Sequence, residues 1–146
     1  MDVFLANEQA LPVDEARLSA LARHALGAEN VDEEAELSIL VVDREHMRRL
    51  NARFANNDYA TDVLAFPMLE GDEDSTTIGD VVLCPDVARD NAAKLDHSLA
   101  RELDVIMVHG TLHLLGYDHQ NASDKERMDG RVTDVLDDFN RAVAHP

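Results

Sequence analysis

Three of the seven histidines fall within eleven residues, the string HGTLHLLGYDH from His109 through His113 to His119. Residues four apart on a helix differ by about 40° around its axis, so His109 and His113 share a face and can reach one ion together. On an unbroken helix His119 would lie about 9 Å beyond His113 and off that face. The chain must therefore turn back, and Gly116 supplies the means. A glycine three residues after the second histidine can take the left-handed conformation that ends a helix, and Tyr117 and Asp118 then return the third imidazole. Three neutral imidazoles leave tetrahedral Zn2+ one open position, which is catalytic coordination. One zinc ion per chain on His109, His113 and His119 is the expectation, with the pKa of its water lowered toward about 7.

The spacing of the three histidines and the glycine resembles the metzincin protease helix, H-E-x-x-H-x-x-G-x-x-H. Position 110 is glycine here, where those proteases carry the glutamate that deprotonates the zinc water. Peptide hydrolysis by that route is therefore disfavoured. Two carboxylates are candidates to support the site. Asp118 adjoins a ligand and could orient an imidazole or cap the turn, and Glu102 lies two helical turns before His109 on the same face. Asp62 and Asp80 each open a strand, where turn formation is the default role. His24, His46, His97 and His145 have no ligand-like partners nearby in sequence.

These residues need elements to position them. Helical periodicity marks Asp14 to Leu26, with Gly27 as its stop, and Asp43 caps a second helix through about Phe54. Pro85 opens a helix to about Leu95, Ser98 caps one to about Leu115, and a last helix runs from about Ser123 to Val143. Short aliphatic runs at Val3–Ala6, Leu37–Val42, Asp62–Met68 and Gly79–Cys84 read as strands, the second central and the third kept at an edge by Pro67. Glu70 to Thr77 is an acidic solvated loop. The order predicts one α+β domain over residues 1–146: a small mixed sheet of about four strands packed with about five helices, the metal helix zincin-like.

The chain has 30 Asp and Glu against 13 Lys and Arg, a net charge of −17. That balance argues against a general nucleic-acid coat or an anionic-membrane binder. Residues 44–53 run the other way, with Arg44, Arg48, Arg49 and Arg53 against one glutamate, net +3. A single cysteine, Cys84, excludes an intramolecular disulfide and is consistent with a reducing cytosol. The first residues lack the pattern of a secretory signal, and no apolar run approaches the roughly 18 residues of a membrane span. The expectation is a soluble, cytoplasmic protein.

The whole histidine string closely resembles the signature H-G-x-L-H-L-x-G-Y-D-H of the YbeY family of bacterial endoribonucleases. Leu50-Asn51 followed by TDVLAFP from Thr61 to Pro67 is similar to that family's L-N…T-D-V-L-S-F-P block, and IGDVVLC from Ile78 to Cys84 to its G-D-I-V-I segment. Glu102 and Met128 match as well, so the likeness covers about residues 37–140. It implies a compact α+β domain with one zinc on the three histidines. The activity implied is single-strand-specific RNA cleavage, in 16S rRNA 3′-end maturation and ribosome quality control. The implied partners are the 16S precursor and the small ribosomal subunit, with ribosomal proteins or assembly GTPases beside them.

Phosphodiester cleavage needs positive charge on the phosphoryl oxygens, which a guanidinium supplies bidentately. The family's usual arginine position, six residues before Thr61, holds Ala55; Arg53 stands where other members carry it. Arg53 is thus the expected catalytic arginine beside His109, with Arg44, Arg48 and Arg49 as further RNA contacts in a narrow positive cleft. Ala60 and Ala65 replace the proline and serine of the family block. Two alternatives compete: a ribosome-assembly or RNA-binding factor whose metal is mainly structural, and a zinc hydrolase of peptides or small molecules.

Overall fold

A computed structural model describes residues 1–67 and 76–144. Its order is β1 (Asp2–Glu8), α1 (Glu15–Ala28), β2 (Glu36–Val42), α2 (Arg44–Ala55), β3 (Val63–Pro67), β4 (Thr77–Leu83), α3 (Pro85–Lys94), α4 (Leu99–Leu114) and α5 (Ala122–Ala144). The fold is α+β, as the sequence predicts, and every predicted helix and strand is present. Met68, most of the acidic loop from Glu70, and His145 lie outside the described residues.

The sheet runs β1-β2-β4-β3. β1 and β4 pair in parallel with β2, and β3 pairs antiparallel with β4. Parallel neighbours need a crossover, and α1 provides it between β1 and β2. β2 is central, as its unbroken aliphatic run requires. β3 lies on an edge, where the missing N–H of Pro67 costs no ladder bond.

Period-two alternation divides the two faces of the sheet. Leu37, Ile39, Val41, Val81 and Leu83 join the core built by α1, α4 and α5. Val42, Val82 and Cys84 point the other way, onto Met47 of α2. The arginine-bearing helix and the histidine-bearing helix therefore cover opposite faces, which spacing along the chain could not indicate.

Local chemistry starts and stops the helices as expected, with one exception. The side chains of Asp14, Asp43 and Ser98 accept hydrogen bonds from the backbone N–H groups of Arg17, His46 and Arg101 at 2.8–3.1 Å. Gly27 does not stop α1. The helix continues to Ala28, and Asn30, at φ +58°, makes the turn by donating its N–H to Gly27 O while Val31 donates to Leu26 O. Asparagine can take this role because its short polar side chain tolerates the left-handed region. No helix among the described residues is long and apolar enough to cross a membrane.

Candidate metal centre

α4 carries His109 and His113 through the middle of the molecule, and most of its length is buried. Gly110 explains how closely it lies on the sheet. A Cβ at that position would stand 2.9 Å from Val81 Cγ1 and 3.2 Å from Val63 Cγ2. Position 110 thus faces the sheet, so a carboxylate there would be driven into the core and away from the imidazoles.

The helix ends as the string requires. Gly116, at φ +105°, donates its N–H to His113 O, and Tyr117 donates to Leu112 O, both at 3.1 Å. This double bond pattern closes a helix around a left-handed residue and reverses the chain. His119 returns with its ring centroid 5.7 Å from that of His109 and 6.2 Å from that of His113. The reversal therefore returns the third imidazole to the side of the other two.

Two features suit the trio to a metal. His113 Nδ1 lies 3.1 Å from the Tyr117 carbonyl oxygen, which can only accept, so in the neutral ring the favoured tautomer carries its proton on Nδ1 and presents Nε2 as the ligand atom. Burial, and then the neighbouring His119 and His113, push the pKa of His109 below its ordinary value of 6.5, partly offset by Asp62 and Asp129. A neutral, ligating imidazole is the favoured form. Zinc 2.0–2.1 Å from each nitrogen would set tetrahedral ligand rings about 5.2 Å apart between centroids. The observed separations are wider, and no three His, Cys, Asp or Glu donors among the described residues converge in metal-holding geometry. Three imidazoles fit zinc in kind of donor.

The 117–119 turn is held from far away in sequence. The Tyr117 hydroxyl donates to Glu29 Oε2 at 3.1 Å, Arg131 of α5 pairs with Glu29 Oε1, and Arg127 stacks 5.2 Å from the Tyr117 ring centre. Neither Glu29 nor Arg131 is distinguishable in sequence from any other surface charge. Glu29→Ala removes the acceptor of the Tyr117 hydroxyl and leaves Arg131 only the Ala28 carbonyl, at a cost of about 1–3 kcal/mol. The expected outcome is weaker zinc binding, by about 10–100-fold; competition with a chromogenic chelator checks it.

His109 borders two clefts, of about 420 Å3 and about 310 Å3. Asp62, Asn91, Lys94 and Glu102 line the first with it, and Arg101, Asp104 and Asp129 the second. Glu102 is therefore a near neighbour of the site, as its spacing suggests. Asp118 instead accepts from the Gln120 N–H at 3.4 Å, a turn contact; the carbonyl of Tyr117 orients His113. Asp62, Asn91 and Lys94 are not readable in the sequence as site residues, because their proximity depends on how β3 and α3 pack against α4.

The arginines differ most from expectation. Arg44 is bound by Asp90 at 2.7 Å, and Arg48 by both Glu45 and Asp58. Arg49 is exposed, and Arg53 stacks 5.0 Å from the centre of the Phe54 ring; neither forms an ion pair among the described residues. Arg53 lines neither cleft that His109 borders. The expected positive cleft is thus not formed by α2: two of its four cations are neutralised by carboxylates, and the helix covers the other face of the sheet.

Comparison with known proteins agrees with this architecture. The family model described as Endoribonuclease YbeY matches residues 4–140. A curated Endoribonuclease YbeY of Salinispora tropica is 44% identical over 140 residues, covering 88% of this chain and 89% of its own. One from Thermobifida fusca is 42% identical over 150 residues, covering 98% and 97%. The solution structure of TM1509 from Thermotoga maritima superposes with a TM-score of 0.59 at 26% identity, covering 96% of this chain and 93% of that one. By its sequence and by its fold, this chain belongs to the endoribonuclease YbeY family.

Proposed function

We propose that the chain is a zinc-dependent endoribonuclease of single-stranded RNA, working in the cytoplasm on the 3′ end of precursor 16S rRNA and in ribosome quality control. The family supports the endoribonuclease activity. The observation that carries the metal dependence is the 3.1 Å contact between His113 Nδ1 and the Tyr117 carbonyl, which orients that ring among two further imidazoles, the His119 centroid lying 5.7 Å from that of His109 and 6.2 Å from that of His113. His109, His113 and His119 would hold one ion. Bound there, zinc supplies Lewis acidity toward a phosphoryl oxygen and activates water near neutral pH.

The chain's own residues do the rest. His109, kept neutral by burial, presents a lone pair rather than a charge. Arg49 and Arg53, free of ion pairs among the described residues and across the sheet from the histidines, hold backbone phosphates farther along the strand. Because Arg53 lies outside the clefts at His109, its contribution is to orient the strand. Tyr117, Glu29 and Arg131 fix the returning loop. With few unpaired cations on a body of charge −17, RNA affinity away from the site is weak, and the small subunit, its proteins or an assembly GTPase supplies the remaining contact.

Metal analysis paired with cleavage of a precursor 16S 3′-end RNA tests this reading, comparing wild type with Arg53→Ala. The expected results are one zinc per chain, cleavage lost on chelation, and a roughly tenfold rise in KM with modest change in kcat for the variant. Metal bound without metal-dependent cleavage favours the assembly-factor alternative and overturns the proposal.

A further inference from the structure

The 420 Å3 cleft beside His109 has a composition that the metal centre does not explain. One wall is apolar, made by Val63, Leu95, Val105 and Ile106, with Leu95 62% exposed at the rim. Two of the polar groups lining it, Asp62 and Glu102, are carboxylates that can only accept. Glu102 is only 5% exposed, yet its carboxylate has a single polar neighbour among the described residues, His97 Nε2 at 3.5 Å. That nitrogen is itself buried without a hydrogen bond. Asn91, also on the lining, directs its Nδ2 at Asp62 Oδ2, 3.4 Å away. Lys94 alone brings positive charge.

A buried carboxylate left underbonded in an open, half-apolar slot is a site shaped for a ligand that brings its own donors. Single-stranded RNA supplies such a group, because an unstacked base offers an apolar face and a hydrogen-bonding edge at once. We propose that this cleft is a nucleobase subsite, selective for bases bearing an exocyclic amine, with Glu102 as its specificity-determining residue. The inference rests on the endoribonuclease reading of the neighbouring histidines. His109 is shared by cleft and imidazole trio, so the base received is the one next to the cleaved phosphodiester. The base lies against Leu95 and Ile106, its amine donates to the Glu102 carboxylate, and Lys94 meets a phosphate oxygen at the rim. Guanine fits best, since its N1–H and 2-amino group present two parallel donors to two carboxylate oxygens. Uracil fits worst, because its only ring donor is flanked by carbonyl oxygens that face carboxylates.

Two measurements test the subsite. The first is cleavage by the zinc-loaded protein of short single-stranded RNAs that differ only in the base on either side of the cut, G or U, for wild type and Glu102→Gln. The second is binding of GMP and UMP followed by NMR at the backbone amides of Asn91 and Lys94. The expected results are about tenfold higher kcat/KM for the guanine RNA and tighter GMP binding. Glu102→Gln, whose amide can both donate and accept, should narrow both preferences to about twofold while circular dichroism and zinc content stay unchanged. If wild type cleaves both RNAs equally, or if the variant keeps the preference, the subsite is refuted and the endoribonuclease reading stands. If neither RNA is cut while GMP still outbinds UMP at these amides, that reading fails and the base site survives. Loss of folding in the variant would shift the decision to the wild-type GMP and UMP titrations, where equal binding refutes the proposal.

Discussion

Replacing His113 by alanine should strip the metal and the activity while leaving the fold intact. His113 is exposed at the end of α4, so its removal opens no cavity in the core. Partners that merely orient a metal-ligating histidine are worth about 10–100-fold in affinity, so loss of a ligand should exceed 100-fold. Cleavage should fall with it by at least the same factor. Saturating zinc at about 100 times its Kd should add about 2.7 kcal/mol to the wild type, raising Tm by about 5–10 °C, and should leave His113→Ala unmoved. Differential scanning calorimetry with and without zinc reads both effects.

The same site fixes a pH dependence. The folded pKa of His109 lies below its unfolded value of about 6.5, so over that window the unfolded chain binds more protons than the folded one. Stability therefore falls as pH drops below 6.5 and is not affected by this group above it. Zinc binding, which also needs neutral imidazoles, should weaken over the same range and in the same direction. A zinc-induced Tm rise that persisted undiminished at pH 5 would count against three-imidazole ligation.

Gly110→Glu should unfold the protein rather than convert it into a protease. In sequence the change completes the H-E-x-x-H motif; in the fold it forces a side chain between α4 and the sheet. Its Cβ alone would meet Val81 at 2.9 Å, and its carboxylate would enter the aliphatic core shared with Val63. Overpacking costs about 1–3 kcal/mol, and an unpaired carboxylate several more, against a total stability of about 5–15 kcal/mol. The expected outcome is a drop of at least about 4 kcal/mol in urea unfolding, or insoluble expression, with no peptidase activity. Gly110→Ala should lose about 1–2 kcal/mol and keep its metal, which separates the effect of packing from that of charge.

The histidine string shows why parts of this site were legible from the chain alone. Helix geometry ties residue i to residue i+4, so His109 and His113 had to share a face wherever the helix packed. Gly116 reversed the chain through bonds confined to residues 112–117, again a local matter. Asp43 and Ser98 capped their helices for the same reason. Gly27 misled because a glycine is permitted at a helix end without being needed there; Asn30 met the conformational requirement instead. The placement of Arg53 is not legible in the sequence, because charge density along the chain does not reveal which face of the sheet a helix will cover.

By itself, then, the sequence determined the three imidazoles, the turn that returns the third, and the succession of helices and strands. All of these rest on contacts within a few residues, where backbone geometry leaves little choice. Tertiary structure alone decided that Gly110 faces Val81, that Glu29 and Arg131 hold Tyr117 from 88 and 14 residues away in the chain, and that Glu102 meets His97 beside a cleft floored by β3 and α4. It also separated α2 from α4 by the thickness of the sheet. These pairings depend on strand register and on the alternation of side chains across the sheet, which combine residues far apart in the chain and leave no periodic trace in it.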